Sequence, residues 1–489
     1  MTVELRSLVA GEWVDGRGAE ARDENPARPN ESVATFRPVD GSVVDRAADV
    51  AAAAAAGWRS TPFHERAAVL SRAAAGLRER AVHLGRELTR EEGKTLAEGT
   101  GEVLRAARIL DYFAAEADRE VGQVFASPRA GEEIVVRQVP VGPVALITPW
   151  NFPIAIPAWK LAPALAFGNT VVWKPSSVTP LLAVRLAEAL VDAGLPEGVL
   201  NVILGGGAAG ARLLEHPAVR ACSFTGSTPV GRAVLGLGAA HGTKVQAEMG
   251  GVNVAVVMAD ADLDHAAAQI VSGAMVSTGQ KCTATSRVVV DRRVHDELID
   301  RVVDRCNELV VGDPLDAGTD MGPVATPGQL ADIANAIARA RAGSAQVVLD
   351  GEPTKDPSEG YFVGPTVVVD VAPNDPLCHE EVFGPTLAVT VADSWEDALS
   401  LADAGPHGLT AAVFTRDLAL ASAAIERLEV GIVHVNSETT GAEPHVPFGG
   451  VKASGAGGRE QGRAARDFYT ETRTAYVAGR PPVKDHHLS

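Results

Sequence analysis

The sequence predicts an α/β fold made of two doubly wound α/β domains, and three observations carry that expectation. At 489 residues the chain exceeds what one hydrophobic core accommodates, so at least two core-bearing units are expected. From about Pro140 to Val257 short apolar runs alternate with amphipathic Ala/Leu-rich stretches, the pattern of successive βαβ units on a parallel sheet. A second alternating block follows the Gly250-Gly251 pair and continues to about Ser437.

In the first block the expected strands are 144–147, 170–173, 200–204 and 221–224. Segments 181–193 and 208–216 have helical composition between them, with Pro180 and Pro196 punctuating the first. This half reads as a Rossmann-like, nucleotide-binding unit. The preceding stretch, 45–117, places Ala, Leu, Arg and Glu at helical spacing, as in 66–88, and is expected to cover one face of the sheet. In the second block the expected strands are 254–258, 287–290, 362–369 and 432–435. The tail after Val477 turns polar beyond Pro481 and Pro482 and is expected to end as an exposed arm.

Composition narrows the function. Hydrophobic residues at 46% and charged residues at 22% suit a packed soluble body, although aromatics are only 4%. The formal charge of −18 opposes attraction to phosphate backbones and anionic lipid, so neither nucleic acid nor membrane is an expected partner. The first ten residues carry Glu4 and Arg6 and no apolar h-region, and no apolar run approaches the roughly 18 residues of a spanning helix. A cytoplasmic protein is expected. Cys222, Cys282, Cys306 and Cys378 form no CxxC pair and are expected as reduced thiols. The twelve histidines form no HExxH, so no metal site is expected.

Several short motifs carry residue types suited to chemistry. Gly205 to Gly210 satisfies GxGxxG after an apolar strand, with Gly207 and Gly210 as candidate cofactor-binding positions. The same glycines also suit a plain strand-to-helix turn. No acid follows in 221–230, where the usual ribose-binding carboxylate would lie, so a dinucleotide here would bind in a variant mode. PWNFP (149–153) puts Asn151 just past a strand end, where sheet ligands sit. EMGG (248–251) presents Glu248, GQKCT (279–283) presents Cys282 after a Gly-containing turn, and EEVFGP spans 380–385. Each taken alone also reads as a turn, a surface carboxylate or core filler.

Together the strings PWNFPIAIPAWK, NTVVWKPSSVTP, SFTGSTPVG, EMGG, GQKCTATSR, HEEVFGP and PFGGVKASGAGGREQG resemble the aldehyde dehydrogenase superfamily, in the right order over nearly the whole chain. The resemblance implies an NAD(P)+-dependent enzyme that oxidises an aldehyde to a carboxylic acid through a thioester. It assigns Cys282 as nucleophile, the Asn151 side chain and the Cys282 N–H as oxyanion donors, and Glu248 as the base that activates the hydrolytic water. Lys160 and Glu460 match a proton relay behind that Glu, or equally a buried structural ion pair. For NAD or NADP it implies Lys174 and Ser177 at the adenosine ribose, Trp150 and Ser227 near the pyrophosphate, Glu381 on the nicotinamide ribose and Phe383 beside the nicotinamide. Ser177 stands where NAD+-selective members often carry Glu, so both cofactors are expected to be accepted.

Phe152, Trp159, Lys281, Thr283 and Phe448 are implied to line the aldehyde tunnel, Lys281 either holding a substrate carboxylate or pointing to solvent. GQKCTATSR and the segment REQG…FYTETRTAYV are similar to the subgroup acting on semialdehydes of dicarboxylic acids, especially 2-oxoglutarate semialdehyde (2,5-dioxopentanoate). Succinate semialdehyde or a broad range of aliphatic aldehydes is the alternative. A CoA-acylating relative usually lacks the Glu of EMGG; a Cys hydrolase would need a His near the thiol and no dinucleotide site. The implied domains are 1–120 with 140–249 for the dinucleotide and 250–453 for catalysis. A small β oligomerisation extension, 121–139 with 467–489, is implied to give a homodimer or homotetramer.

Overall fold

The computed structural model describes residues 2–117, 122–353 and 356–479; Val121 and residues 480–489 of the expected extension lie outside them. The first sheet has five parallel strands in the order Lys244–Glu248, Ala221–Thr225, Val144–Ile147, Val171–Lys174 and Leu200–Val202. Every residue of Val144–Ile147 and of Val171–Lys174 is buried, as expected where helices cover both faces of a parallel sheet. From Val144–Ile147 the chain first builds one side of the sheet and then crosses to Ala221–Thr225 on the other. A topological switch point therefore lies between those two strands, with a crevice beyond their carboxyl ends.

Antiparallel strands complete both edges. Ser7–Val9 and Glu12–Val14 flank one, and Gly455–Ala456 pairs with Lys244–Glu248 at the other. On one face lie the helices Phe63–Glu79, Ala81–Glu92 and Leu96–Glu116, whose Leu70, Leu77, Leu88, Ile109, Leu110 and Phe113 join the sheet's core. Leu96–Glu116 opens with a capping box in which the Thr95 side chain accepts from the Glu98 N–H and Glu98 accepts from the Thr95 N–H. Helix Ala155–Ala166 is apolar almost all round and buried at every position, which fits a helix enclosed on all sides.

The second sheet runs Gln346–Leu349, Thr366–Val369, Thr386–Ala392, Thr285–Asp291, Asn253–Val257, Thr410–Phe414 and Ile432–Val435, parallel except for the first. The strand expected over 362–369 is shortened to Thr366–Val369. Pro365 has no N–H to add to a ladder, and the Gly364 N–H is drawn to the Gly351 carbonyl at 3.1 Å. The N-terminal segment also forms a small sheet of its own, Val3–Leu5, Arg28–Phe36 and Ala21–Asn25, which the sequence reading did not foresee. A three-stranded antiparallel ribbon, Gly122–Ala126, Glu132–Pro140 and Thr470–Ala478, stands apart, and Thr470–Ala478 is exposed at every position after the first. Among the described residues no helix is long and apolar enough to cross a membrane.

Candidate active site

Two cavities meet at Cys282. One, of about 640 Å³, lies over the switch point and is lined by Trp150, Asn151, Lys174, Ser177, Ser227, Glu248, Glu381 and Phe383. The other, of about 580 Å³, opens beside helix Leu96–Glu116 and is lined by Phe152, Lys281 and Thr283. Cys282, Ile156, Trp159 and Phe448 belong to both. Trp159 and Phe448 form a tilted ring pair with centroids 5.3 Å apart.

A strained loop presents the nucleophile candidate. Ser277, Thr278 and Gly279 have φ of 57°, 54° and 68°, three successive residues in the left-handed region that side chains disfavour. Their neighbours hold them there: the Ser277 N–H donates to Glu98 at 2.7 Å, the Thr278 hydroxyl to the Gly322 carbonyl at 3.0 Å, and the Ala325 N–H to the Gln280 side chain at 2.9 Å. A Cβ on Gly279 would lie 2.3 Å from the Gly384 carbonyl oxygen. Past the loop, Asn253 donates to the Cys282 carbonyl at 2.8 Å, while the Cys282 N–H donates to no backbone carbonyl among the described residues and interacts with its own sulfur. Burial pushes the thiol up to about 12, and the carboxylates Glu381, Glu248 and Glu460 add to the rise.

Asn151 follows the strand Val144–Ile147 and is 4% exposed. Its Nδ2 donates to the Gln280 carbonyl at 2.9 Å, which leaves the second amide hydrogen uncommitted. From below, buried Lys94 donates to the Asn151 carbonyl at 2.8 Å and pairs with Glu102 at 2.7 Å. Glu102 in turn accepts the Ile154 and Ala155 N–H groups, each at 3.1 Å, at the start of helix Ala155–Ala166.

Glu248 ends its strand with one oxygen accepting the Gly450 N–H at 3.1 Å, while Oε1 is buried without a partner among the described residues. Burial holds its carboxyl well above the usual range and Glu460 adds to this, against the Gly450 N–H, Lys160 and Arg459. Lys160 and Glu460 form a buried ion pair, with Ser223 accepting from Lys160 at 2.8 Å and donating to Gln246 at 3.1 Å. Neither lines either of the two cavities. Glu460 also keeps a buried oxygen, Oε2, with no hydrogen-bond partner among the described residues.

The larger cavity has features that fit a dinucleotide. Helices Gly207–Glu215 and Thr228–His241 begin on its wall, at Gly206 and Ser227, so two sets of free N–H groups face it, as an anionic pyrophosphate requires. A Cβ on Gly206 or Gly207 would meet nothing within 4 Å, leaving room for a ligand. Gly210 does not line the cavity. A Cβ there would stand 3.3 Å from the Lys174 side chain, so this expected ligand-binding glycine instead lets the helix pack closely on the strand. Trp150 and Phe383 meet edge to face at 5.5 Å. Glu381 accepts the Gly251 N–H at 3.0 Å, and burial lifts it to about 7. Lys174 donates to the Pro175 and Gly205 carbonyls and is lowered to about 8 by burial.

The aldehyde dehydrogenase family model matches residues 13–475. The chain belongs to that family. Relatives of this aldehyde dehydrogenase include the alpha-ketoglutarate semialdehyde dehydrogenase of Haloferax volcanii, 42% identical over 97% of this chain and 99% of its own. The alpha-ketoglutaric semialdehyde dehydrogenase of Bacillus subtilis is 38% identical over 96% and 97%. Among solved structures, 3,6-anhydro-L-galactose dehydrogenase in complex with NAP superposes with a TM-score of 0.93 at 34% identity over 97% and 100% of the two chains. Betaine aldehyde dehydrogenase from Staphylococcus aureus in complex with NAD+ gives 0.94 at 31% over 100% and 97%. The chain is thus an NAD(P)-dependent aldehyde dehydrogenase with the two-domain α/β fold of its relatives.

Sequence reasoning missed the residues that support this aldehyde dehydrogenase's site. Glu98, Lys94, Glu102 and Asn253 stand in no motif singled out, and a run of Glu and Lys on a helix reads as solvated surface. The adjacent Thr95 and Glu98 spacing was the available signal for the cap. Lys281, left between substrate and solvent, is 8% exposed on the cavity wall. Burial lowers it to about 8, opposed by Glu438 and Glu98.

Proposed function

We propose that this aldehyde dehydrogenase oxidises a short semialdehyde bearing a carboxylate, 2-oxoglutarate semialdehyde foremost, through a thioester on Cys282. One observation carries the substrate class: the Lys281 ammonium lies buried beside the nucleophile on the wall of the smaller cavity, with no hydrogen bond or ion pair to any described residue. A cation there without a hydrogen-bonded partner costs desolvation that Glu438 and Glu98 offset only in part, and an anionic substrate offsets the rest. The names of the Haloferax and Bacillus relatives support the same class.

In this reading the Cys282 thiol gives its proton to the Glu248 carboxylate as the sulfur adds to the aldehyde carbon, and Glu248 releases that proton before hydrolysis. The free Asn151 amide hydrogen and the Cys282 N–H donate to the resulting oxyanion. When bound, a nicotinamide dinucleotide supplies the acceptor for the hydride that leaves this carbon. Glu248 then takes a proton from water, whose oxygen attacks the thioester, and the acid departs as the thiol is restored. The Lys160–Glu460 pair passes that proton inward, and Glu460 pushes Glu248 toward the protonated form.

Trp150, Lys174, Ser177, Gly207, Ser227, Glu381 and Phe383 hold the cofactor, and Phe152, Trp159, Thr283 and Phe448 shape the aldehyde path. Ser177 is exposed at the Lys174 end of the larger cavity, which supports use of NADP+ as well as NAD+; a preference for NAD+ above about a thousandfold in kcat/KM, roughly 4 kcal/mol, argues against it. The reading includes a cytoplasmic homo-oligomer joined through the ribbon formed by Gly122–Ala126, Glu132–Pro140 and Thr470–Ala478. It keeps the domain division at 1–120 with 140–249, and 250–453. The test is a purified-enzyme panel of 2-oxoglutarate semialdehyde, succinate semialdehyde and hexanal. The ω-oxo acids are expected to have the higher kcat/KM, and equal or higher values for hexanal remove the substrate assignment.

A further inference from the structure

On the wall of the smaller cavity two cations, Lys281 and Arg105, hold no ion pair with the carboxylates around them among the described residues. Lys94 is committed to Glu102, and Arg108 to Glu443 at 3.1 Å. Glu98 accepts four hydrogen bonds, from the N–H and hydroxyl groups of Thr95 and Ser277. What remains without an ion pair on the wall is Lys281, Arg105 and the carboxylate of Glu438, whose Oε2 is buried without a partner among the described residues. Glu438 opposes the loss of the Lys281 proton.

Arg105 belongs to the stripe of helix Leu96–Glu116 that faces the cavity, with Gly101, Leu104 and Arg108 at helical spacing. Those three are exposed, so this stripe borders the mouth, while Arg105 itself is half-buried. Its guanidinium makes no hydrogen bond or ion pair with any described residue, and burial lowers its pKa, with Glu443 and Glu102 opposing. A planar fork of five donors left unpaired in a cavity leading to the reacting sulfur matches a carboxylate in shape and charge.

We infer that Arg105 is a specificity-determining residue: its guanidinium takes the substrate carboxylate toward the cavity mouth while Lys281 donates to an acceptor nearer the sulfur. An ω-oxo acid with a second acceptor, such as a 2-oxo group, engages both cations, whereas a neutral chain engages neither. This rests on the semialdehyde reading above.

The experiment measures kcat and KM for 2-oxoglutarate semialdehyde and hexanal with the wild type, Arg105→Met and Arg105→Lys, alongside thermal unfolding. Binding of glutarate to Cys282→Ala and to Cys282→Ala/Arg105→Met is followed by calorimetry. Arg105→Met is expected to raise the KM for the ω-oxo acid by about tenfold or more, equivalent to about 1.4 kcal/mol, with kcat changed far less. The ω-oxo acid to hexanal ratio of kcat/KM falls with it, glutarate binding weakens by a similar factor, and Arg105→Lys recovers part of the loss. If the wild type prefers the ω-oxo acid but Arg105→Met keeps its KM and its glutarate affinity, or loses activity on both aldehydes equally, the inference is overturned and the semialdehyde reading stands. If the wild type shows no preference, that reading falls and takes the inference with it.

Discussion

Replacing Glu248 by Gln separates acylation from hydrolysis. The side chain keeps its shape, and its amide oxygen can still accept the Gly450 N–H that Glu248 holds at 3.1 Å, so the local structure is expected to survive. What disappears is the group that takes a proton from water, a loss of about 10² to 10⁴ in that step, or roughly 2.7 to 5.4 kcal/mol at 1.36 kcal/mol per decade. The carboxyl is raised by burial and by Glu460. It therefore favours folding while protonated, and that contribution fades as pH climbs through the raised pKa. The variant lacks this loss and is expected to be at least as stable as wild type above neutral pH. In rapid mixing, a burst of reduced cofactor at 340 nm, about one equivalent per site, precedes a slow steady state, and intact-protein mass spectrometry finds the acyl group on Cys282. A steady-state rate within about tenfold of wild type, with no burst and no adduct, refutes the assignment of Glu248 as the hydrolytic base.

Four further outcomes follow from the same geometry. Asn151→Ala removes an oxyanion donor, and kcat is expected to fall by about 10² to 10³; steady-state kinetics showing less than about a tenfold loss count against that role. Lys94→Met strands Glu102 in the core and is expected to cost about 3–5 kcal/mol, less whatever the Ile154 and Ala155 N–H groups retain, with a loss below about 1 kcal/mol in denaturant unfolding as the contrary result. Gly279→Ala forces a Cβ to within 2.3 Å of the Gly384 carbonyl at a positive φ, so the loop must shift, and slower alkylation of Cys282 together with lower kcat is expected. Lys281 sits at about 8 and is charged below that pH; the kcat/KM ratio of ω-oxo acid to hexanal is therefore expected to fall as pH rises through 8, and a flat ratio from about pH 6.5 to 9.5 contradicts a charged contact.

Much of the molecule was legible in the chain itself because it is written locally. The alternation of buried apolar runs with amphipathic stretches identified both sheets, and strands such as Val144–Ile147 and Ile432–Val435 lie where the pattern puts them. Cys282, Glu248 and Asn151 were singled out because each sits in a short string of unusual composition, next to residues that form turns or strand ends. These candidates for the proposed chemistry were thus readable before any coordinates, as was the acidic net charge.

Only the tertiary structure decided what surrounds them. Asn151 and Glu248 stand at or just past the carboxyl ends of strands in the first sheet, while Cys282 precedes Thr285–Asp291 at the amino end of a strand in the second. Nothing in the intervening sequence tells a reader that Asn151 will bond the carbonyl of Gln280, 129 positions further along and beside that cysteine. The same holds for Lys94, Glu98 and Glu102, which look like ordinary solvated helix residues until packing takes them out of water and forces each to find a partner. Periodicity records which face of an element is apolar. The pairing of buried charges, and the two cations left without one, depend on distances between segments remote in sequence, and those exist only once the sheets have closed on each other.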